Sequence, residues 1–312
     1  MIIYIDTPLK DAEKLMLKKG IGQNAEYYFR DELPDEAAML EKIKMADIIF
    51  GNPKPDLMKE AVNAKWIQLY SAGFEYYQGI DLPAIITNMQ DYYSQPCAET
   101  VVAGIMALYR RMDAFSVLKE QKRWVGYPVR RELQVLNQKK VLLLGAGNIG
   151  KRIAKILEGF NAEYIFFSRT APNGIHSKEE LVAKIPWADV IIGCLPGTSE
   201  TKGLFTNEMI SQMKSTALFC NVGRGNLVAD QNFLIDALMN KKIGGAVLDV
   251  TSSEPIPGDD PVWNCPNTIL SQHSGGGLST EYDGIVELFL ENFQNYVHGK
   301  PLKNQVSFNK GY

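Results

Sequence analysis

The stretch "VLLLGAGNIGKRIAKIL" at 141–157 decides how the rest of the chain is read. Four apolar residues of strand length run into three glycines, and a helical pattern follows directly. Gly145, Gly147 and Gly150 have the G-x-G-x-x-G spacing of a dinucleotide-binding turn. The first glycine permits the tight turn. The second lets the backbone approach a pyrophosphate, and the third lets the helix pack closely on its strand. The free N–H groups at the helix start, with its dipole, favour an anion there.

The next strand is "EYIFF", and it runs into Ser168, Arg169 and Thr170. A site for NAD places Asp or Glu near this point, about 20 residues after the glycines, to accept the ribose 2′-OH. A carboxylate would repel a 2′-phosphate. Here two hydroxyls flank a guanidinium, which can pair with a phosphate and donate to it. The expected cofactor is therefore NADP(H), with NAD(H) as the second possibility.

Outward from this loop, β-rich runs alternate with amphipathic segments. Strands are expected at 2–6, 26–30, 46–51, 65–73 and 84–88, with helices near 10–19, 35–44 and 56–63. From Gln95 to Trp124 the chain reads as one long helix, opened by Pro96 in its first turn. A second βα series follows. Its strands are expected near 141–145, 163–168, 190–194, 217–222, 245–250 and 268–272, and a last helix near 280–298. The fold class is α/β: two doubly wound parallel-sheet domains with a cleft between them. One is a Rossmann cofactor domain and the other a smaller, flavodoxin-like substrate domain.

The chain has 312 residues, room for two domains. A net charge of −3, with 46% hydrophobic and 22% charged residues, gives no global attraction to nucleic acid or to an anionic membrane. Cys97, Cys194, Cys220 and Cys265 show no CxxC spacing and suit free thiols in a reducing compartment. The start "MIIYID" reads as a strand, not a signal peptide, and no apolar run reaches membrane-spanning length. The cytoplasm is the expected location, and no metal is implied.

Three later stretches belong together. "CNVGRGNLV" puts Arg224 just after a strand, "GAVLDVTSSEP" carries Asp249 and Glu254, and "TILSQHSGGG" puts His273 at the end of the last strand. Ligands of open α/β sheets bind beyond the carboxyl ends of the strands. An imidazole can exchange a proton near neutral pH, and a carboxylate can orient it. A guanidinium can bind a carboxylate and polarise a neighbouring carbonyl. Asp249 reads as structural, holding a neighbouring backbone or Arg224.

With "GAGNIG", "CLPGTSETKGLFT" (194–206), "NVGRGNLV" and "SQHSGG" in this order, the sequence resembles the D-isomer-specific 2-hydroxyacid dehydrogenase family over nearly its whole length. The Ser-Arg-Thr ending is similar to the NADPH-dependent glyoxylate/hydroxypyruvate reductase branch. The resemblance implies Arg224, Glu254 and His273 as the catalytic set. It implies that Ser71, Ala72 and Gly73 bind the substrate carboxylate through their N–H groups, with Arg224. It implies a cofactor-binding set of Gly145, Gly147, Asn148, Ile149, Gly150, Ser168, Arg169, Thr170, Leu195, Pro196, Val222, Gly223, Asp249, His273 and Gly275. The substrate-binding domain would be discontinuous, 1–96 with 287–312, around a dinucleotide-binding domain at 97–286. A homodimer built on the cofactor domain is implied, including the long helix from Pro96.

The sequence departs from the family pattern at Asp91, where glycine is common, at Thr100, where histidine is usual, and at Gln272, where proline usually precedes the histidine. The expected activity is hydride transfer between NADP(H) and a small 2-keto or D-2-hydroxy acid. Two alternatives stay open: a dinucleotide-sensing or corepressor-like protein without turnover, and an NAD-dependent family member acting on another substrate, such as phosphoglycerate.

Overall fold

A computed structural model describes residues 1–23 and 25–308. The first strands and helices are β1 (Ile2–Ile5), α1 (Asp11–Ile21), β2 (Glu26–Phe29), α2 (Glu36–Met45), β3 (Ile48–Phe50), α3 (Pro55–Met58), β4 (Trp66–Gln68) and β5 (Ile85–Thr87). There follow α4 (Ser94–Tyr109), α5 (Met112–Glu120), β6 (Lys140–Leu144), α6 (Asn148–Glu158), β7 (Glu163–Phe167), α7 (Lys178–Lys184) and β8 (Val190–Gly193). The remainder is α8 (Asn207–Gln212), β9 (Leu218–Asn221), α9 (Gln231–Met239), β10 (Gly245–Leu248), β11 (Thr268–Leu270), α10 (Glu281–Val297) and β12 (Gln305–Val306). No described helix is long and apolar enough to cross a membrane.

The chain divides into two compact units, residues 1–93 with the chain from Leu278 onward, and Ser94–Gly277. These breaks fall at 93/94 and 277/278, against the expected 96/97 and 286/287. The physical reason for the later difference is α10: it runs unbroken from Glu281, packs against α1 and buries Ile285, Val286, Phe289 and Phe293 in the first unit's core, so it goes with that unit as a whole.

In the first unit the strand order is β12-β5-β4-β3-β1-β2, parallel except for β12, which pairs antiparallel with β5. Without β12 this is the flavodoxin-like 2-1-3-4-5 order. The interior strands β1, β3 and β4, built of Ile, Phe, Tyr, Trp and one Gln, are almost wholly buried, as the interior strands of a parallel sheet must be. On one face Phe289 of α10 stacks between Phe50 and Trp66, with ring centroids 4.2 and 5.1 Å away. Ile43, Met58, Tyr77 and Phe308 fill the other face. The buried Asn292 side chain donates to Gln68 Oε1 at 2.9 Å and accepts from Lys303 N at 2.7 Å, tying α10 to β4 and to the segment before β12.

In the second unit all six strands are parallel, in the order β11-β10-β9-β8-β6-β7. The order reverses between β6 and β8; compared with the 3-2-1-4-5-6 Rossmann order there is one strand fewer beyond β7 and one more, β11, at the other edge. Helices α4 and α6 cover one face, and α7, α8 and α9 the other. Helix α4 lies so close to β10 that a β-carbon on Gly104 would stand 2.5 Å from Val247 Cγ1.

Three expected elements differ. The strand expected over 65–73 is formed only at Trp66–Gln68, and Ser71–Gly73 belong to the loop after it. The long helix is broken: α4 ends at Tyr109, and Arg111 turns left-handed at φ 56° before α5 begins. The Arg111 guanidinium donates to Asn267 Oδ1 at 3.0 Å and lies 3.6 Å from Glu132. A tertiary anchor thus overrides a helical pattern that has no breaker residue in it. Helix α3 stops at Met58, short of 63: the chain goes on in tight turns, with Ala61 N bonded to Met58 O and Ala64 N to Ala61 O, both at 3.1 Å, and both alanines are buried.

Replacing Phe289 by Ala removes a fully buried ring from the stack and should cost about 3–5 kcal/mol. Urea unfolding followed by tryptophan fluorescence measures it; a loss under about 1 kcal/mol would show that the site collapses around the gap.

Candidate active site

All strands of the second sheet run the same way, so their carboxyl ends share one edge. Gly145 follows β6, Ser168 follows β7, Leu195 and Pro196 follow β8, Val222 to Arg224 follow β9, Asp249 follows β10 and His273 follows β11. Nearly every residue singled out in this part of the sequence stands on that edge.

The glycine loop has the geometry its spacing predicts. Gly145 sits at φ 120°, closed to ordinary side chains. A β-carbon on Gly150 would collide with the Gly145 carbonyl oxygen, so α6 meets β6 only because position 150 is bare. Around Gly147 a β-carbon would meet nothing within 4 Å. Helices α7, α8 and α9 are capped by Ser177, Thr206 and Asp230 side chains, whereas α6 starts at Gly147 without a side-chain cap. The first bond of α6 is Lys151 N to Gly147 O at 3.0 Å, so Asn148, Ile149 and Gly150 present their N–H groups ahead of it. An uncapped helix start behind an open glycine fits a dinucleotide pyrophosphate.

At the end of β7, Ser168 N donates to Ile175 O at 3.0 Å, and His176 Nδ1 donates to Ser168 O at 2.5 Å. A carbonyl oxygen only accepts, so this ring nitrogen carries the proton. Thr170 N donates to Ser168 Oγ at 3.2 Å, and Arg169 Nη1 lies 3.2 Å from Glu200 Oε2. Neither His176 nor Glu200 belongs to the expected site. Both come from segments distant in sequence from the glycine loop.

After β9, Asn221 staples the "NVGRG" turn: its amide donates to Arg224 O at 2.9 Å, and its Oδ1 accepts from Gly223 N at 3.1 Å. Arg224 Nη1 donates to Gly223 O at 2.8 Å. A β-carbon on Gly223 would lie 2.5 Å from Leu195 O, and one on Gly197 would lie 3.1 Å from Arg224 Cγ. The β8 and β9 loops are therefore in contact. Next along the edge, a β-carbon on Gly225 would strike Thr251 O, which joins the arginine turn to the loop carrying Glu254. The Cys97 thiol lies under this edge. Burial pushes it up to about 11, with the Asp249 charge adding to the rise and Arg224 opposing it.

Glu254 is held at both oxygens. Oε1 accepts from Thr251 N at 2.9 Å, and Oε2 is 2.6 Å from His273 Nδ1. The histidine is half-exposed, and its backbone is left-handed at φ 54°, next to Gln272 at φ 56°. Asp249 fixes that turn. Its Oδ1 accepts from Ser271 Oγ at 2.7 Å and from Gly275 N at 2.8 Å, while its carbonyl accepts from His273 N at 2.6 Å. So Asp249 holds a backbone, the first of the two structural roles expected of it. Thr100 Oγ1 donates to Gly275 O at 3.0 Å, adding a clamp from α4. Proline's ring keeps φ near −65°, so the turn at Gln272 is closed to proline.

In the first unit, the loop after β4 carries Ser71, Ala72 and Gly73. Asn52, which the sequence reading missed, accepts from Tyr70 N at 3.0 Å and donates to Ser71 Oγ at 2.8 Å. Asn88 Nδ2 donates to Ala72 O at 2.6 Å, and Ser71 Oγ donates to Gly73 O at 2.5 Å. The carbonyls of this loop are occupied. Among the described residues, no acceptor meets the N–H groups of Ser71, Ala72 or Gly73.

Comparisons with known proteins agree on one family. Residues 102–275 match a family model described as D-isomer specific 2-hydroxyacid dehydrogenase, NAD binding domain. Glyoxylate/hydroxypyruvate reductase A of Escherichia fergusonii is 32% identical over 219 residues, 69% of this chain and 68% of that protein. The crystal structure of a D-isomer specific 2-hydroxyacid dehydrogenase family protein from Aeromonas salmonicida superposes with a TM-score of 0.84 at 26% identity, covering 98% of this chain and 99% of that one. An NADPH-dependent glyoxylate/hydroxypyruvate reductase from Sinorhizobium meliloti, solved with NADP and sulfate, shares the fold at a TM-score of 0.82 and 20% identity, over 100% and 99% of the two chains. With the glycine loop, both parallel sheets and more than half of its length matched, this chain belongs to the D-isomer-specific 2-hydroxyacid dehydrogenases, a family of NAD(P)-dependent oxidoreductases.

Proposed function

We propose that this chain reduces a small 2-keto acid, of the glyoxylate or hydroxypyruvate kind, to its D-2-hydroxy acid, with NADPH preferred over NADH. The observation that carries this reading is the Glu254–His273 pair at 2.6 Å, with the second oxygen of Glu254 already fixed by Thr251 N. Nδ1–H of the imidazole donates to Glu254, which leaves Nε2 to carry the exchangeable proton. Among the described residues Nε2 has no partner. In the reduction His273 gives that proton to the substrate oxygen, and Glu254 keeps the ring oriented for the transfer. Arg224 faces the negative charge that develops on the same oxygen. In this reading the N–H groups of Ser71, Ala72 and Gly73 take the substrate carboxylate. The dinucleotide, when bound, supplies hydride from the nicotinamide C4.

The expected cofactor set fits what the chain offers. Gly145, Gly147, Asn148, Ile149 and Gly150 would receive the pyrophosphate. Leu195, Pro196, Val222, Gly223, Asp249, His273 and Gly275 would line the nicotinamide half. Ser168, Arg169 and Thr170 would meet a 2′-phosphate, since no carboxylate of β7's own end stands there. The name of the Escherichia fergusonii relative supports the substrate class.

A homodimer formed through the second unit completes the reading. The segment after α4 leaves Met112, Val117, Tyr127 and Val135 exposed, and Trp124 is 96% exposed. A soluble monomer rarely leaves that much apolar surface open. The four unpaired thiols suit the cytoplasm as the place of action.

Three outcomes are expected. A panel of 2-keto acids should show oxidation of NADPH, and His273→Ala should lower kcat by about 100-fold or more with cofactor affinity kept; near wild-type turnover by that variant would remove His273 as the proton donor. Gln272→Pro cannot hold the left-handed turn, and a shift of about 1 Å in the imidazole should cost roughly 100-fold in kcat, while Gln272→Gly stays active. Light scattering should give twice the chain mass, and Trp124→Ser should weaken that association; a wild-type monomer at micromolar concentration would refute the dimer.

A further inference from the structure

The end of β7 lacks the acid that an NAD site places there, yet the structure brings one in from another loop. Glu200 follows β8 and lies 3.2 Å from Arg169 Nη1 through Oε2. Both side chains are largely exposed, at 66% for the arginine and 70% for the glutamate. Their positions are not accidents of long, free side chains. Glu200 rides on a tight turn in which Thr201 Oγ1 donates to Pro196 O at 2.5 Å, Thr198 N donates to Thr201 Oγ1 at 2.9 Å, and Lys202 N donates to Thr198 O at 3.0 Å. Arg169 leaves a strand end fixed by the Ser168–Ile175 and His176–Ser168 hydrogen bonds.

We propose that Glu200 is a specificity-determining residue: by competing for Arg169 it tempers the preference for a 2′-phosphorylated dinucleotide over an unphosphorylated one. This rests on the reading of Arg169 as the phosphate's partner. A phosphate monoester near neutral pH carries close to two negative charges, and its oxygens accept bidentate bonds from a guanidinium. To use Arg169 fully it must draw the guanidinium off the carboxylate. Glu200 then stands close by as a like charge, which costs binding energy. An unphosphorylated ribose bears no such charge and pays neither term. The chain is thus able to bind both dinucleotides with a narrower ratio than its Ser-Arg-Thr ending alone would give. The pair is exposed, so its influence is modest and falls as salt screens it.

The test is direct binding, which needs no knowledge of the substrate. Dissociation constants for NADPH and NADH are measured by nicotinamide fluorescence for the wild type, Glu200→Gln, Arg169→Gln and the double variant, at low and high salt. Glu200→Gln should tighten NADPH by about fivefold with NADH little changed, the size expected from an exposed ion pair. The gain should shrink at high salt and vanish in the Arg169→Gln background, because the glutamate acts through the arginine. If Arg169→Gln weakens NADPH while Glu200→Gln leaves the NADPH/NADH ratio unchanged, the role of Glu200 is refuted and the phosphate site stands. A gain that persists without Arg169 refutes competition for the guanidinium. If Arg169→Gln itself leaves the ratio unchanged, the phosphate site falls, and this proposal with it. Matching thermal melting of the variants shows that each result concerns the site and not the fold.

Discussion

One nearly buried carboxylate organises the chemistry of this molecule. Asp249 is 4% exposed, at the end of β10, where an unpaired charge would be costly. Two donors from the next loop, Ser271 Oγ and Gly275 N, both reach its Oδ1. Between those two anchors the backbone turns through Gln272 and His273 in the left-handed region, and the His273 N–H returns to the Asp249 carbonyl. The imidazole is aimed at Glu254 by this main-chain closure, before any side-chain contact of its own. Left-handed conformations of ordinary residues cost on the order of 1–2 kcal/mol each, and here the surrounding hydrogen bonds over-determine them.

The same economy recurs along the edge. Asn221 closes the arginine turn, Thr251 holds the free oxygen of Glu254, and the Thr198–Thr201 turn holds Glu200. The Glu254 and His273 side chains stay partly open to solvent while the residues that set their direction are buried or bonded to main chain. Such a division gives rigid geometry without the desolvation cost of burying the charges themselves.

The glycine loop, the two βα series and the order of Arg224, Glu254 and His273 were all legible in the sequence. Each rests on local rules: strand and helix periods, and the φ values or close approaches that only glycine allows. The break at Arg111 was not legible, because its cause is Asn267 and Glu132, far along the chain or beyond the next helix. Nor was the antiparallel pairing of β12, two residues long, whose partner β5 lies more than two hundred positions earlier. Asn52 and His176 carried no motif of their own, Thr100 stood out only as a departure from the family pattern, and Glu200 lay inside the "CLPGTSETKGLFT" stretch with no role assigned to it. Each is an ordinary polar residue until the fold sets it beside Ser71, Gly275, Ser168 or Arg169.

By itself, then, the sequence determined the two α/β sheets, the family and the kinds of side chain gathered at the carboxyl edge of the second sheet, because those are written in short-range patterns. Tertiary structure alone decided which atoms meet: that His273 faces Glu254 through Nδ1, that Gln272 takes a turn closed to proline, and that an acid absent from β7 arrives from the loop after β8. Hydrogen bonds and ion pairs between side chains depend on distance in space, and separation along the chain does not encode it until the strands have taken their places.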